Sequence, residues 1–114
     1  MFKVLVIDHN DGSIYSSYVE EYGDIYTLGG FEIFDVVYGK TPFGVVSIFV
    51  DDEGLLKSGT LVSDLKNFGS DDLKLAGNLI IAGGTDDEGE TLDVPEGLTI
   101  DWLVDNITVF GVVR

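Results

Sequence analysis

The chain contains no cysteine, two prolines, one histidine and six basic residues. Each shortage removes a class of chemistry. Without cysteine there is no disulfide, no thiolate nucleophile and no thiolate metal site. A single imidazole, His9, falls short of the several nitrogen or sulfur ligands that a transition-metal centre needs. Long hydrophobic runs are also missing, so no segment approaches the roughly 18 apolar residues of a membrane-spanning helix. The apolar start, Met1 to Ile7, is too short for a signal peptide and has no basic region before it. A soluble, cytoplasmic protein is the expectation.

The scarcity of bases has the widest consequence. Twenty-one acids against six bases give a formal net charge of −15 at pH 7 on 114 residues. Such a surface repels nucleic acid and anionic membranes, and attracts cationic protein grooves or metal ions. The bases are Lys3, Lys40, Lys57, Lys66, Lys74 and Arg114, so residues 75–113 have none. That stretch carries eight acids: Asp86, Asp87, Glu88, Glu90, Asp93, Glu96, Asp101 and Asp105. They are the candidate partner-binding residues. The plainer reading is a solvated face that keeps the protein soluble.

Hydrophobic residues still make up 45% of the chain, enough for a core without staples and against intrinsic disorder. One domain over residues 1–114 is expected. Phe2 to Ile7 is nearly continuous in apolarity and β-branched, which suits a central strand buried on both faces. Asp8 to Gly12 turns into a second strand, Ile14 to Val19. A short helix fits residues 20–28, weakened by Gly23 and stopped by Gly29-Gly30. Further strands are expected at Phe31 to Tyr38 and Gly44 to Val50, with a turn at Asp51 to Gly54 and a short return at Leu55-Leu56. Residues 58–75 read as a long loop with room for one helical turn, Leu75 to Ala82 as one strand, and Glu90 to Val94 as a short edge strand. The clearest helix spans about 99–107: Thr99 is a suitable N-cap, and Ile100, Leu103, Val104 and Ile107 form one apolar stripe. The expected class is α+β, a mainly antiparallel sheet with this one clear helix.

No constellation selects a reaction. Asp8 to Gly12 fails as a calcium loop, because Gly12 takes the fifth position and Val19 the twelfth, where carboxylates belong. Asp51-Asp52-Glu53 and Asp86-Asp87-Glu88-Glu90 are carboxylate runs on turns, whose side chains diverge. Gly29-Gly30 and Gly83-Gly84 match neither phosphate-loop pattern. Ser13, Ser16 and Ser17 near His9 carry no nucleophile signature. Tyr15, Tyr18, Tyr22 and Tyr26 cluster, as core and sheet-face residues or as an exposed patch for a partner. No catalytic, cofactor-binding or metal-binding residue is assigned, and a non-enzymatic protein is expected.

The order of segments is distinctive. Lys3-Val4-Leu5-Val6-Ile7 opens, followed by Gly29-Gly30-Phe31-Glu32-Ile33 and Val37-Tyr38. Next come Asp52-Glu53-Gly54 with Leu56-Lys57, and Ala76-Gly77-Asn78-Leu79-Ile80-Ile81-Ala82-Gly83. Asp87-Glu88-Gly89-Glu90 then precedes Leu98-Thr99-Ile100-Asp101. This resembles a family of small domains of unknown function encoded by bacteriophages, plasmids and integrative elements, mostly of Gram-positive bacteria. The family tends to have Asn-Glu-Glu-Gly at residues 51–54, and Pro and Asn soon after, where this chain has neither. The resemblance implies an accessory protein of a mobile element acting in the bacterial host cytoplasm.

Acids two apart on a strand lie about 6.6 Å apart, and those four apart on a helix about 6 Å, comparable to successive phosphates. The leading expectation is therefore an acidic inhibitor of a host nucleic-acid-binding or defence enzyme, a nucleic-acid mimic that docks on a basic host protein surface. Two other classes stand beside it. One is a small-molecule or nucleotide-sequestering binder, for which only six bases are available. The other is a structural or regulatory accessory that forms a homo-oligomer through sheet edges.

Overall fold

Antiparallel pairing organises the chain. The computed structural model describes residues 1–52, 61–69 and 73–112. The elements in order are β1 (Phe2–Asp8), β2 (Ser13–Val19), α1 (Gly23–Gly29), β3 (Phe34–Thr41), β4 (Gly44–Asp51), β5 (Leu61–Leu65), β6 (Leu73–Ala76), β7 (Leu79–Gly83), α2 (Ile100–Asp105) and β8 (Ile107–Val112). A five-stranded sheet has the order β2-β1-β7-β4-β3, and a three-stranded sheet the order β6-β5-β8. All of their pairings are antiparallel.

The larger sheet joins two hairpins through a strand that comes later in sequence. β1–β2 and β3–β4 are each local hairpins, and β7 fits between β1 and β4. All five residues of β7 are buried. Register produces continuous apolar rows across the sheet. Leu5 pairs with Ile81 and Ile81 with Ile48, while Val6 pairs with Ile80 and Ile80 with Phe49. Because side chains alternate along a strand, neighbouring rows face opposite ways. The first row joins the core shared with the smaller sheet, together with Leu65, Phe68 and Leu103. The second joins Phe2, Val4, Val19 and Phe31 under α1, where Ile25 is fully buried. Each such Ile or Leu contributes about 1.5–3 kcal/mol by leaving water. Gly30, in the left-handed conformation at φ 68, ends α1 as its C-cap.

The expected α+β domain with a clear helix over 99–107 is not what forms. Strand takes 49% of the described residues and helix 13%, in two helices of seven and six residues. Thr99 does cap α2, its hydroxyl oxygen accepting from Trp102 N–H at 3.1 Å. The helix then ends after one and a half turns. The Asn106 side chain donates to the Trp102 carbonyl at 2.8 Å and its backbone leaves helical geometry at φ −116, ψ 11. Ile107 and Thr108 are β-branched and pair with Leu65 and Asp64 of β5. The heptad-like stripe was thus split between two elements, and Val104 is left 53% exposed.

Three other expectations are corrected. In place of a long loop, the described residues of 58–75 hold β5 and the first three residues of β6; Ser63 and Asp64 interrupt the apolar alternation that marks a strand. The strand expected over Leu75 to Ala82 is two strands in different sheets, divided at Gly77-Asn78. Residues 90–94 form a single bridge, Thr85 with Thr91, and no full edge strand. The return expected at Leu55-Leu56 lies outside the described residues.

Candidate functional site

After β7 the chain turns at 85–91 and comes back as a strap over the larger sheet. Gly83 N–H donates to the Leu92 carbonyl at 2.9 Å, and Leu92 N–H to the Gly84 carbonyl at 2.8 Å. Val94 N–H then donates to the Lys3 carbonyl at 2.9 Å, while Lys3 N–H donates to Asp93 Oδ1 at 2.8 Å. The strap is therefore stitched to both β7 and β1. A Cβ at Gly83 would run into the Asp93 carbonyl, so only glycine allows this approach. Val94 and Leu98 bury their side chains, and the Leu98 N–H closes a turn on the Pro95 carbonyl before α2 begins.

Strap, sheet and helix enclose an open cleft of about 820 Å³. Leu92, Pro95 and Ile100 give it an accessible apolar lining over the buried Leu5, Val94 and Leu98, and Ser16 brings in β2, the outer strand of the sheet. Lys3, Asp93, Glu96 and Asp101 supply the charges. Three carboxylates thus face the same space as one ammonium group.

All eight predicted acids are exposed. The structure gathers Asp93, Glu96 and Asp101 around the cleft and leaves the other five outside its lining. Asp86 is committed to its own turn, where Oδ1 accepts from Glu88 N–H and Glu90 N–H, both at 2.9 Å. That arrangement holds Asp87, Glu88 and Glu90 outward at a hairpin tip. Asp105 sits in the last turn of α2, four residues beyond Asp101. Among the described residues no ion pair joins any of the eight to a base.

His9 has a partner that sequence distance concealed. Its Nε2 is 2.8 Å from Ser63 Oγ on β5, and its backbone N–H donates to Asn78 Oδ1 at 2.8 Å. Asn78 in turn donates to the Gly29 carbonyl at 3.0 Å. Burial pushes the imidazole below its usual pKa, opposed by the nearby Asp8 carboxylate. Ser63 is fully buried, so no substrate can reach the hydroxyl. The pair braces the two sheets and does not form a nucleophilic site.

No group of three or more His, Cys, Asp or Glu side chains converges on a metal-sized position among the described residues. No helix among them is long and apolar enough to cross a membrane. The family described as a domain of unknown function, DUF3846, matches residues 2–107. The chain belongs to the DUF3846 family. No curated protein and no solved structure matches it. Membership in DUF3846 names no activity, so its chemistry has to be read from this chain's own side chains. Of the cleft, sequence reasoning found the three acids and missed Lys3, Leu5, Ser16 and Val94. Nothing in local spacing shows that β1, β2 and the strap meet.

Proposed function

We propose that this DUF3846 domain is a non-enzymatic binding protein that docks its acidic C-terminal third on a cationic protein surface. The observation that carries the reading is the exposure of all eight carboxylates between Asp86 and Asp105 in a segment that holds no base. A groove built to hold phosphates gains from carboxylates at comparable spacing, and like-charged partners are rejected. The partner class is a host nucleic-acid-binding or defence enzyme, and the setting a mobile element in a bacterial cytoplasm. The charge supports the partner class; the resemblance carried by residues 3–7, 29–33, 37–38, 52–54, 56–57, 76–83, 87–90 and 98–101 supports the setting.

Capture of bacterial nucleic-acid-binding enzymes on immobilised protein, at low and at high salt, tests the reading. The expected partner is retained at low salt and released as salt rises. Neutralising Asp86, Asp87, Glu88 and Glu90 together as Asn and Gln should weaken capture. Retention that ignores both salt and these four changes overturns the proposal.

A further inference from the structure

We propose that the cleft beside β1 and β2 seats an extended basic peptide segment of the partner. Apolar side chains of that segment rest against Leu92, Pro95 and Ile100, and arginine or lysine side chains reach Glu96 and Asp101. The inference rests on the reading above that the partner is cationic, and adds the place and the shape of the contact.

Three observations favour this occupant. A cleft of about 820 Å³ has room for several side chains and is far larger than one ion requires. Its lining mixes apolar side chains, Leu92 and Ile100 among them, with three carboxylates, so it rewards a ligand that alternates greasy and cationic groups. A phosphate or carboxylate ligand would meet three like charges for one lysine. Ser16 also sets the cleft next to β2, the outer strand of the sheet, where an extended chain can lie alongside. The exposed hairpin tip at 86–90 could attract any cation, whereas the cleft can also discriminate by apolar fit.

Isotope-labelled protein titrated with a short capped peptide of alternating Arg and Val tests the seat. Amide shifts are expected at Leu5, Ser16, Val94 and Ile100, and a peptide of alternating Glu and Val should produce none. The double variant Glu96→Gln with Asp101→Asn should keep its own folded spectrum and bind the Arg peptide about fivefold more weakly, given the modest worth of exposed charge pairs. A peptide of alternating Arg and Ser should also bind more weakly. Shifts confined to residues 86–90 would overturn the cleft as the seat while leaving electrostatic docking intact. Equal binding of the Glu peptide would overturn the charge argument itself, and with it both readings.

Discussion

His9 Nε2 lies 2.8 Å from Ser63 Oγ, so the end of β1 in the larger sheet is tied to β5 in the smaller one. The tie is polar and joins a fully buried hydroxyl to a half-buried imidazole, which makes it sensitive to protonation. Burial lowers the folded-state pKa of His9 below 6.5. The unfolded chain then binds more protons than the folded one as pH falls through that value, so stability declines toward acid. Between about pH 7 and pH 5 the thermal midpoint should fall further, or rise less, in the parent than in His9→Gln. Asp11, held low by the Ser13 hydroxyl and N–H, titrates below this window. A His9→Gln protein with the same pH slope as the parent would contradict the assignment.

Ser63→Ala removes the hydroxyl and leaves the imidazole nitrogen without its partner. Loss of about 1 kcal/mol is expected, the usual worth of a hydrogen bond to a withdrawn group. Urea denaturation measures it.

Gly83→Ala places a methyl group against the Asp93 carbonyl. Either the strap lifts or β7 shifts, and overpacking of this kind costs about 1–3 kcal/mol. Faster amide exchange at Val94 should accompany the loss, because its hydrogen bond to Lys3 depends on the strap's position.

Asp86 accepts two backbone N–H groups within its own turn. Asp86→Ala should therefore speed amide exchange at Glu88 and Glu90, whereas Asp86→Asn keeps an acceptor oxygen and should change it little. Equal exchange in the two variants would mean that charge, and not the acceptor, orders the turn.

Ile81→Ala opens a void at the centre of the row from Leu5 to Ile48. A loss of about 2–5 kcal/mol is expected by chemical denaturation. Val104→Ala, at an exposed position of α2, should stay within about 0.5 kcal/mol.

Strands with unbroken apolar or β-branched runs were legible from composition, as Phe2 to Ile7 and Gly44 to Val50 illustrate. Thr99 was legible as a cap because capping is local chemistry. What local pattern could not carry was competition between neighbours. Ile107 suits a helical stripe and a strand equally, and its pairing with Leu65 decides for the strand. Leu75 and Leu79 look continuous in sequence, yet the break at Gly77-Asn78 sends them to different sheets. The cleft was hidden for a related reason: Lys3 and Asp93 stand 90 residues apart and meet only through the strap. The acids were visible as a charge; which three share a space was not.

The place of β7 bears on how the protein comes to be folded. Until residues 79–83 arrive, the β1–β2 and β3–β4 hairpins each hold an unpaired inner edge of apolar backbone, a template for the wrong partner as much as for the right one. Assembly of the larger sheet must therefore wait for a contact made across most of the chain, a slow closure by the usual dependence of rate on sequence separation. Chains halted before Leu79 would carry two sticky half-sheets, with their many negative charges as the chief protection against clumping.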